Sequence, residues 1–343
     1  MALSKIRSDS LEDTAVHGQR NLIINGAMQV AQRGTSFTGI TSTIAYRMDR
    51  WQVGFGAAGS NYSITQSTDV PDNFKYSMKW QRTASNAVTN SIWFSQAFES
   101  VNSKVVAGKT CTLSYYAKKG ANYSASSSDI QVRIISGTGT DQSATSAITA
   151  GWTGYATPLS TTQVITTGWV RYTHTVTFAS NVNQVSVNLA SNSAGTAGAD
   201  DSLFITGIQL ELGETATPFE HRSFGDELLA CQRYYEHTYP YGTAPGTANG
   251  GIGADHRYVG RETASNYGYY TAHYRVEKRA AATVTVYSYV GTANQIANGD
   301  TGGDSGAVGV IQNGTTSFLP RNTSGSGVSA RALMYHFKAD AEL

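Results

Sequence analysis

A chain of 343 residues with 40% hydrophobic content is long enough to bury two cores, which excludes a wholly disordered protein. Its 25 basic and 24 acidic residues give a net charge of +1, which argues against nucleic acid as a partner because such partners require a clustered basic face. The combination of 35 Gly, 20 Tyr and only 6 Pro is typical of short strands joined by many turns.

Residues 1–20 are polar and predict a flexible arm that becomes ordered on a partner. The same segment lacks the apolar stretch of a secretory signal peptide, and no run of roughly 18 apolar residues follows it. We therefore expect a soluble protein, made in the cytoplasm of the producing cell, that does not insert into a membrane.

Residues 21–212 repeat the apolar–polar alternation of half-buried strands, separated by Gly, Ser and Asn turns. This spacing predicts an antiparallel β-sandwich of roughly ten strands, and the jelly-roll form fits the number best. Trp51, Trp80 and Trp93 are interpreted as core residues. The predicted strands are 21–26, 28–31, 49–53, 62–65, 77–80, 92–98, 110–117, 130–134, 170–178, 184–189 and 204–212.

A single helix is predicted over residues 223–237, after a turn-rich connector at residues 213–222. Asp226 and Glu227 fall in its first turn, where the helix dipole favours negative charge. Leu228, Cys231 and Tyr235 share one face. Because an isolated helix of about fifteen residues is marginal in water, this narrow stripe must pack on the following domain or on copies of itself.

Residues 238–343 are again β-rich, with strands predicted at 267–276, 283–290, 308–312 and 332–339 and long Gly-rich loops between them. Tyrosine offers sugars a flat ring and a hydroxyl group at little entropic cost. The alternative is that these tyrosines are core or interface residues. The candidate glycan-binding residues are Tyr239, Tyr241, Tyr258, Tyr267, Tyr269 and Tyr270.

No catalytic or metal-binding constellation emerges from the sequence, so neither a cofactor nor a metal is expected. The glycines at 54, 56 and 59 match a dinucleotide-binding pattern, but a strand pattern follows them where that motif needs a helix. Gly303-Asp304-Ser305-Gly306 resembles a serine-protease loop without a matching histidine context, and is interpreted as a Gly-rich loop. We predict that Cys111 and Cys231 are buried thiols that do not form a disulfide.

Several segments resemble bacteriophage tail-fibre and receptor-binding proteins, particularly those of cyanophages and other marine phages. NLIINGAMQVAQRG at 21–34, DRW at 49–51, LSYYAKKG at 113–120 and TGIQLELG at 206–213 are similar to the strands of their jelly-roll module. SFGDELLACQRYYE at 223–236 resembles the helix that follows the module. KRAAATVTVYS at 278–288 and KADAEL at 338–343 resemble their trimeric tip.

The first domain is also similar, more distantly, to carbohydrate-binding modules that hold a structural calcium with acids in their first and last strands. The chain departs from that pattern at three positions. Ala27, Gln29 and Thr206 stand where those modules carry acidic residues. The resemblance therefore transfers neither the calcium site nor the sugar specificity.

The phage resemblance implies a non-enzymatic virion fibre that attaches a phage to a host-surface polysaccharide. Its domains would be a virion-anchoring arm (1–20), a jelly-roll β-sandwich (21–222), a trimerisation helix (223–237) and a receptor-binding tip (238–343). The protein would act as a homotrimer, with Leu228, Cys231 and Tyr235 at the trimer interface and a tail or other virion protein bound to the arm. The alternatives are a polysaccharide-degrading tailspike and a purely structural tail or capsid decoration protein.

Overall fold

The structure is a computed structural model that describes residues 20–41, 44–56, 61–248, 257–261, 271–298, 303–323 and 332–343. The described chain divides into two compact units. The first unit comprises the described residues up to Gln29, then Ser36–Ser223 and Leu343, and the second comprises Val30–Thr35 and Phe224–Glu342. Residues 1–19 of the predicted arm lie outside the described residues.

Two antiparallel sheets build the first unit. The first sheet has the strand order β1-β4-β5-β12-β7-β10 and the second sheet β2-β3-β6-β11-β8-β9. Their bounds are β1 Ser36–Ile40, β2 Ala45–Met48, β3 Trp51–Phe55, β4 Tyr62–Ser67, β5 Ser77–Arg82, β6 Ser91–Ala97, β7 Thr110–Lys119, β8 Asp129–Gly137, β9 Ala156–Val164, β10 Val170–Thr177, β11 Gln184–Asn192 and β12 Ser202–Leu212.

The two sheets pack face to face as a β-sandwich. Phe55 of the second sheet stacks on Tyr62 of the first, with ring centroids 5.0 Å apart. Trp51 and Trp80 are fully buried in the core between the sheets, as predicted. The expectation of a mainly β protein with antiparallel sheets is thus confirmed, while the jelly-roll form stays a prediction.

The predicted strands at 21–26 and 28–31 are wrong. This segment forms turns, with positive φ angles at Asn25 (57°) and Met28 (55°) that no strand residue adopts. It is fixed through hydrogen bonds to β12 instead, where Leu22 N donates to Leu210 O at 2.9 Å and Asn21 Nδ2 to Ile208 O at 3.1 Å. The polar strand β9, whose sequence is ATPLSTTQV, was not predicted because its apolar alternation is weak.

The described residues of the first unit also form two short α-helices, α1 (Ser100–Ser103) and α2 (Ala144–Ile148). The Ser143 hydroxyl caps α2 by accepting a hydrogen bond from Ser146 N at 3.1 Å. Ala144 and Ala147 are fully buried in a small apolar cluster with Ala97 and Ile135, which lie on the outer face of the second sheet. The helix therefore covers one end of that face.

The described residues of the second unit form one helix, α3 (Phe224–Gln232), and an eight-stranded sheet. Four strands of this sheet pair with its last one, and the core lies around it. The strands are β13 Tyr235–His237, β14 Arg257–Arg261, β15 Ala272–His273, β16 Thr283–Tyr287, β17 Gln295–Asn298, β18 Asp304–Ile311, β19 Ser317–Asn322 and β20 Ala332–Asp340. Residues 304–306 lie in β18, so the interpretation of 303–306 as a Gly-rich loop is wrong.

The helix predicted to reach His237 ends at Gln232. Tyr235, Glu236 and His237 pair with β20 at Asp340, Ala339 and Lys338, so a distant strand overrides the local helical pattern. The domain boundary also differs from the prediction, because Val30–Thr35 belongs to the second unit. Gln32 Nε2 donates to Tyr235 O at 2.9 Å, and Arg33 forms an ion pair with Asp340 at 2.8 Å.

Among the described residues, no helix combines the length and hydropathy needed to span a membrane.

Candidate functional site

The outer face of the second sheet carries two adjacent rows of side chains across its strands. One row runs through Gly54, Trp93, Ala190, Gln131 and Thr162, which are ladder partners on β3, β6, β11, β8 and β9. The next row runs through Gln52, Ser95, Asn188, Arg133 and Ser160. Because side chains alternate along a strand, all of these point away from the sandwich core.

Trp93 rests on Gly54. A Cβ atom at Gly54 would lie 2.5 Å from Cε2 and Cζ2 of the indole and 2.7 Å from its Nε1, so only glycine leaves room for the ring in this place. Trp93 is half-buried, with the rest of its ring facing a groove. The prediction that Trp93 is a core residue is therefore wrong, since it has the opposite parity on β6 to the buried Ile92 and Phe94.

The groove measures about 230 Å³ and crosses β6, β11 and β8. Its lining residues are Ser91, Trp93, Gln131, Arg133, Ile148, Asn188, Ala190 and Asn192. Ala190 lies between Trp93 and Gln131 in the ladder, and its small side chain leaves the depression between them. Ile148 of α2 closes the end of the outer face that the helix covers.

The polar side chains of the groove have unused hydrogen-bonding capacity. Asn188 is only 2% exposed, yet its Nδ2 has no partner among the described residues. Trp93 Nε1 likewise lacks an acceptor there. A buried donor without a partner costs free energy, so the groove is arranged to receive acceptor atoms from water or from a ligand.

The outer face of the first sheet is also aromatic, but its rings are occupied by one another. Phe74 contacts Tyr116, Phe219 and His221 with centroid distances of 5.3, 5.1 and 5.0 Å. Phe219 and His221 belong to the connector at residues 213–222, which therefore covers this part of the sheet. Trp169 packs edge-on against Phe204 at 6.2 Å.

Of the six candidate tyrosines of the second unit, Tyr239 and Tyr241 have described side chains, and their surroundings differ. Tyr239 is 2% exposed and stacks on His336 with centroids 4.0 Å apart, so its ring face is already covered. Tyr241 is 47% exposed. Tyr258 lies in β14, and Tyr267, Tyr269 and Tyr270 lie outside the described residues.

The three residues predicted for a trimer interface do not share an exposed surface. Cys231 and Tyr235 are 1% and 3% exposed within the single chain, which conflicts with a role at a seam between copies. Tyr235 also lies on β13, beyond the end of the helix. Leu228 is partly buried, while the exposed apolar residues of α3 are Phe224 and Leu229, at 45% and 52%.

Arg82, Asp201 and Glu211 of the first unit serve structural roles outside the groove. Arg82 and Asp201 form a fully buried ion pair at 3.0 Å, and Arg82 also donates to the carbonyl oxygens of Asn86, Val88 and Gly195. Glu211 is buried and accepts a hydrogen bond from Thr217 N at 2.9 Å. These carboxylates hold loops in place.

Neither cysteine is part of a reactive site. Cys111 and Cys231 are both buried, and neither forms a disulfide with a described residue, as predicted. Burial raises the pKa of the Cys111 thiol to about 12, which keeps it protonated and unreactive at neutral pH. Within the described part of the chain, no cluster of three or more His, Cys, Asp or Glu side chains has the arrangement of a metal site.

Comparisons with known proteins were made at the level of sequence and of structure. No family model and no curated protein matches the chain. Similar solved structures include one from a study of carbohydrate-binding modules of the β-sandwich super family, with 12% identity, coverage of 50% of this chain and 62% of that one, and a TM-score of 0.34. Another is the enzymatically active domain of tailspike protein 4 from bacteriophage CBA120, with 12% identity, coverage of 57% and 22%, and a TM-score of 0.34.

A third similar structure is TmCBM61 in complex with β-1,4-galactotriose, with 9% identity, coverage of 57% of this chain and all of that one, and a TM-score of 0.34. The chain spans less than two thirds of the first two of these structures. Superpositions this loose decide nothing about function, which rests on the geometry of the groove.

Proposed function

We propose that the first unit binds a glycan in the groove on the outer face of the second sheet. The observation that carries this proposal is the Trp93 ring, which rests on Gly54 and turns part of its surface toward the groove. An aromatic ring packs against the apolar face of a sugar, while amide side chains bind its hydroxyl groups. Gln131, Asn188 and Asn192 supply these amides beside the ring.

We further propose that the groove binds without cleaving. Glycoside hydrolysis generally uses two carboxylates on either side of the scissile bond. The described residues that line the groove include no Asp or Glu. A tailspike-type enzyme remains the rival hypothesis, and release of reducing ends from any glycan that the protein binds would favour it.

The role proposed for this binding is attachment of a phage to a host-surface polysaccharide. It rests on the similarity of five segments between residues 21 and 236 to phage receptor-binding proteins. In such a fibre, a homotrimer would present three grooves, and multivalency would convert weak single-site binding into firm attachment. The arm at residues 1–20 would join the virion.

Glycan binding is tested with the purified full-length chain on an array of plant, algal and bacterial oligosaccharides. We expect Trp93→Ala to weaken binding of every recognised glycan by at least about tenfold, as for an aromatic residue at the centre of a contact. Trp169→Ala is the matched control, because it removes a partly exposed indole from the outer face of the other sheet. Unchanged binding by Trp93→Ala would overturn the proposed site.

The same array distinguishes the groove from the predicted tip site. Tyr241→Ala removes the exposed member of the candidate tyrosines whose surroundings are described. We expect this variant to bind as the unmodified protein does. If Tyr241→Ala loses binding and Trp93→Ala keeps it, the site lies in the second unit.

A further inference from the structure

The lining of the groove carries a positive charge from Arg133. Arg133 is the one charged side chain among the described residues that line it. Its ladder partners are Asn188 on β11 and Ser160 on β9, both neutral. Arg133 makes no ion pair or side-chain hydrogen bond within the described part of the chain.

Other arginines of the first unit have structural partners that Arg133 lacks among the described residues. Arg82 is fully buried against Asp201, and Arg171 donates to Ser114 Oγ at 2.9 Å. Arg20 pairs with Glu211, and Arg50 donates to Ala97 O at 2.7 Å. These guanidinium groups hold the fold together, whereas that of Arg133, on β8, has no hydrogen-bond or ion-pair partner among the described residues.

A second hydrogen-bond donor without a partner among the described residues lies next to Arg133. Asn188, the direct neighbour of Arg133, has an unpartnered Nδ2 and is 2% exposed. Guanidinium groups donate only, and they match the two oxygens of a carboxylate or sulfate group in a bidentate geometry. A sugar hydroxyl both donates and accepts, so a neutral glycan does not need this charge.

We propose that the groove selects glycans that carry an anionic group, either the carboxylate of an acidic sugar or a sulfate ester. This inference rests on the glycan-binding function proposed above. Trp93 on β6 and Arg133 on β8 are separated by one strand, so their backbones are roughly 10–12 Å apart. One sugar packs on Trp93, and the anionic group of an adjacent sugar is bound by Arg133 and Asn188 Nδ2.

The inference is tested with the full-length chain against three probes of matched length: an oligogalacturonate, a sulfated galactan oligosaccharide and a neutral galactan oligosaccharide. Dissociation constants are measured by calorimetry. We expect at least one anionic probe to bind roughly tenfold to a hundredfold more tightly than the neutral one, as for a charge-assisted hydrogen bond. The preferred probe identifies carboxylate or sulfate as the group that is recognised.

Arg133→Gln is expected to bring the ratio of anionic to neutral affinity close to one, and Arg133→Lys to retain part of the preference. Lys104→Gln is the matched control, since it removes the same charge from an exposed residue that does not line the groove. Raising NaCl from about 0.05 to about 0.5 M should reduce the preference of the unmodified chain for the anionic probe, because salt screens the attraction between Arg133 and the anionic group.

The outcomes separate the two proposals. Equal affinity for neutral and anionic probes, or a preference that survives in Arg133→Gln, overturns the anionic selectivity and leaves glycan binding intact. Binding that Trp93→Ala does not weaken overturns the groove itself, and the selectivity with it. Failure of all three probes to bind counts against both.

Discussion

At the scale of single residues, Gly54 determines where the Trp93 ring lies. A Gly54→Ala substitution would place a methyl group 2.5 Å from the indole, so the ring must move away from the sheet. Because Trp93 is half-buried on an outer face, we expect the chain to stay folded, with a loss of stability of about 1–3 kcal/mol. Glycan affinity should fall several-fold, measured by calorimetry alongside thermal unfolding.

Gly168→Ala provides the matched control for this substitution. Nothing lies within 4 Å of a Cβ atom built at Gly168, so the added methyl group meets no neighbour. Both affinity and unfolding temperature should therefore stay close to those of the unmodified chain. If Gly54→Ala also binds normally, the position of the Trp93 ring on the sheet is not what makes the groove competent.

The position of Trp93 shows which features of the groove the sequence determines and which it does not. The alternation Ile92-Trp93-Phe94 predicts that Trp93 faces opposite to its neighbours, and this parity was available from the sequence. Which parity faces the core depends on the pairing of β6 with β3 and β11, which joins residues about 40 to 100 positions apart. The register of the strands also places Trp93 beside Gly54 and Ala190. Because register joins distant residues, the sequence did not predict the groove.

At the scale of elements, local patterns predicted strands well and the end of α3 poorly. Nine of the strands that pair in the sandwich were anticipated because each has apolar alternation over four or more residues. Tyr235 follows Cys231 at helical spacing, and its strand conformation depends on β20, about 100 residues later. Local periodicity cannot report a competing partner that distant.

The strand β13 is fixed by a buried ion pair that yields a testable prediction. Lys278 Nζ lies 2.6 Å from Glu236 Oε2, and their side chains are 0% and 2% exposed. Lys278 also donates to the carbonyl oxygens of Gln232 and Val276. Burial lowers the pKa of Lys278, and the Glu236 carboxylate opposes that effect by stabilising the ammonium form.

Replacing one member of this pair should destabilise the second unit more than replacing both. Glu236→Leu alone leaves a buried ammonium group unpaired, at a cost of about 3–5 kcal/mol, whereas Glu236→Leu combined with Lys278→Met leaves no charge. All five tryptophans lie in the first unit, so their fluorescence in urea serves as an internal reference while far-UV circular dichroism reports both units. Additive losses in a double-mutant cycle would mean that the pair is not coupled.

At the scale of the whole molecule, the proposed homotrimer must use surface that a single chain leaves exposed. Cys231 and Tyr235 do not meet this condition, but Phe224 and Leu229 of α3 do. Large apolar side chains on an exposed helix are typical of contacts with another protein surface. We therefore predict that copies of the chain associate through this exposed side of α3.

Light scattering during size-exclusion chromatography should give the mass of three chains for the unmodified protein. Phe224→Gln combined with Leu229→Gln should give the mass of one chain with an unchanged circular dichroism spectrum, because substitutions of such exposed side chains usually change stability little. Val164→Gln is the control, since Val164 is 58% exposed on β9 of the first unit and should leave the trimer intact. An unmodified chain that runs as a monomer would remove the trimer from the proposal.

Because each groove lies in the first unit of one chain, the monomeric variant should keep its single-site glycan affinity and lose only the gain from multivalency on a polysaccharide surface.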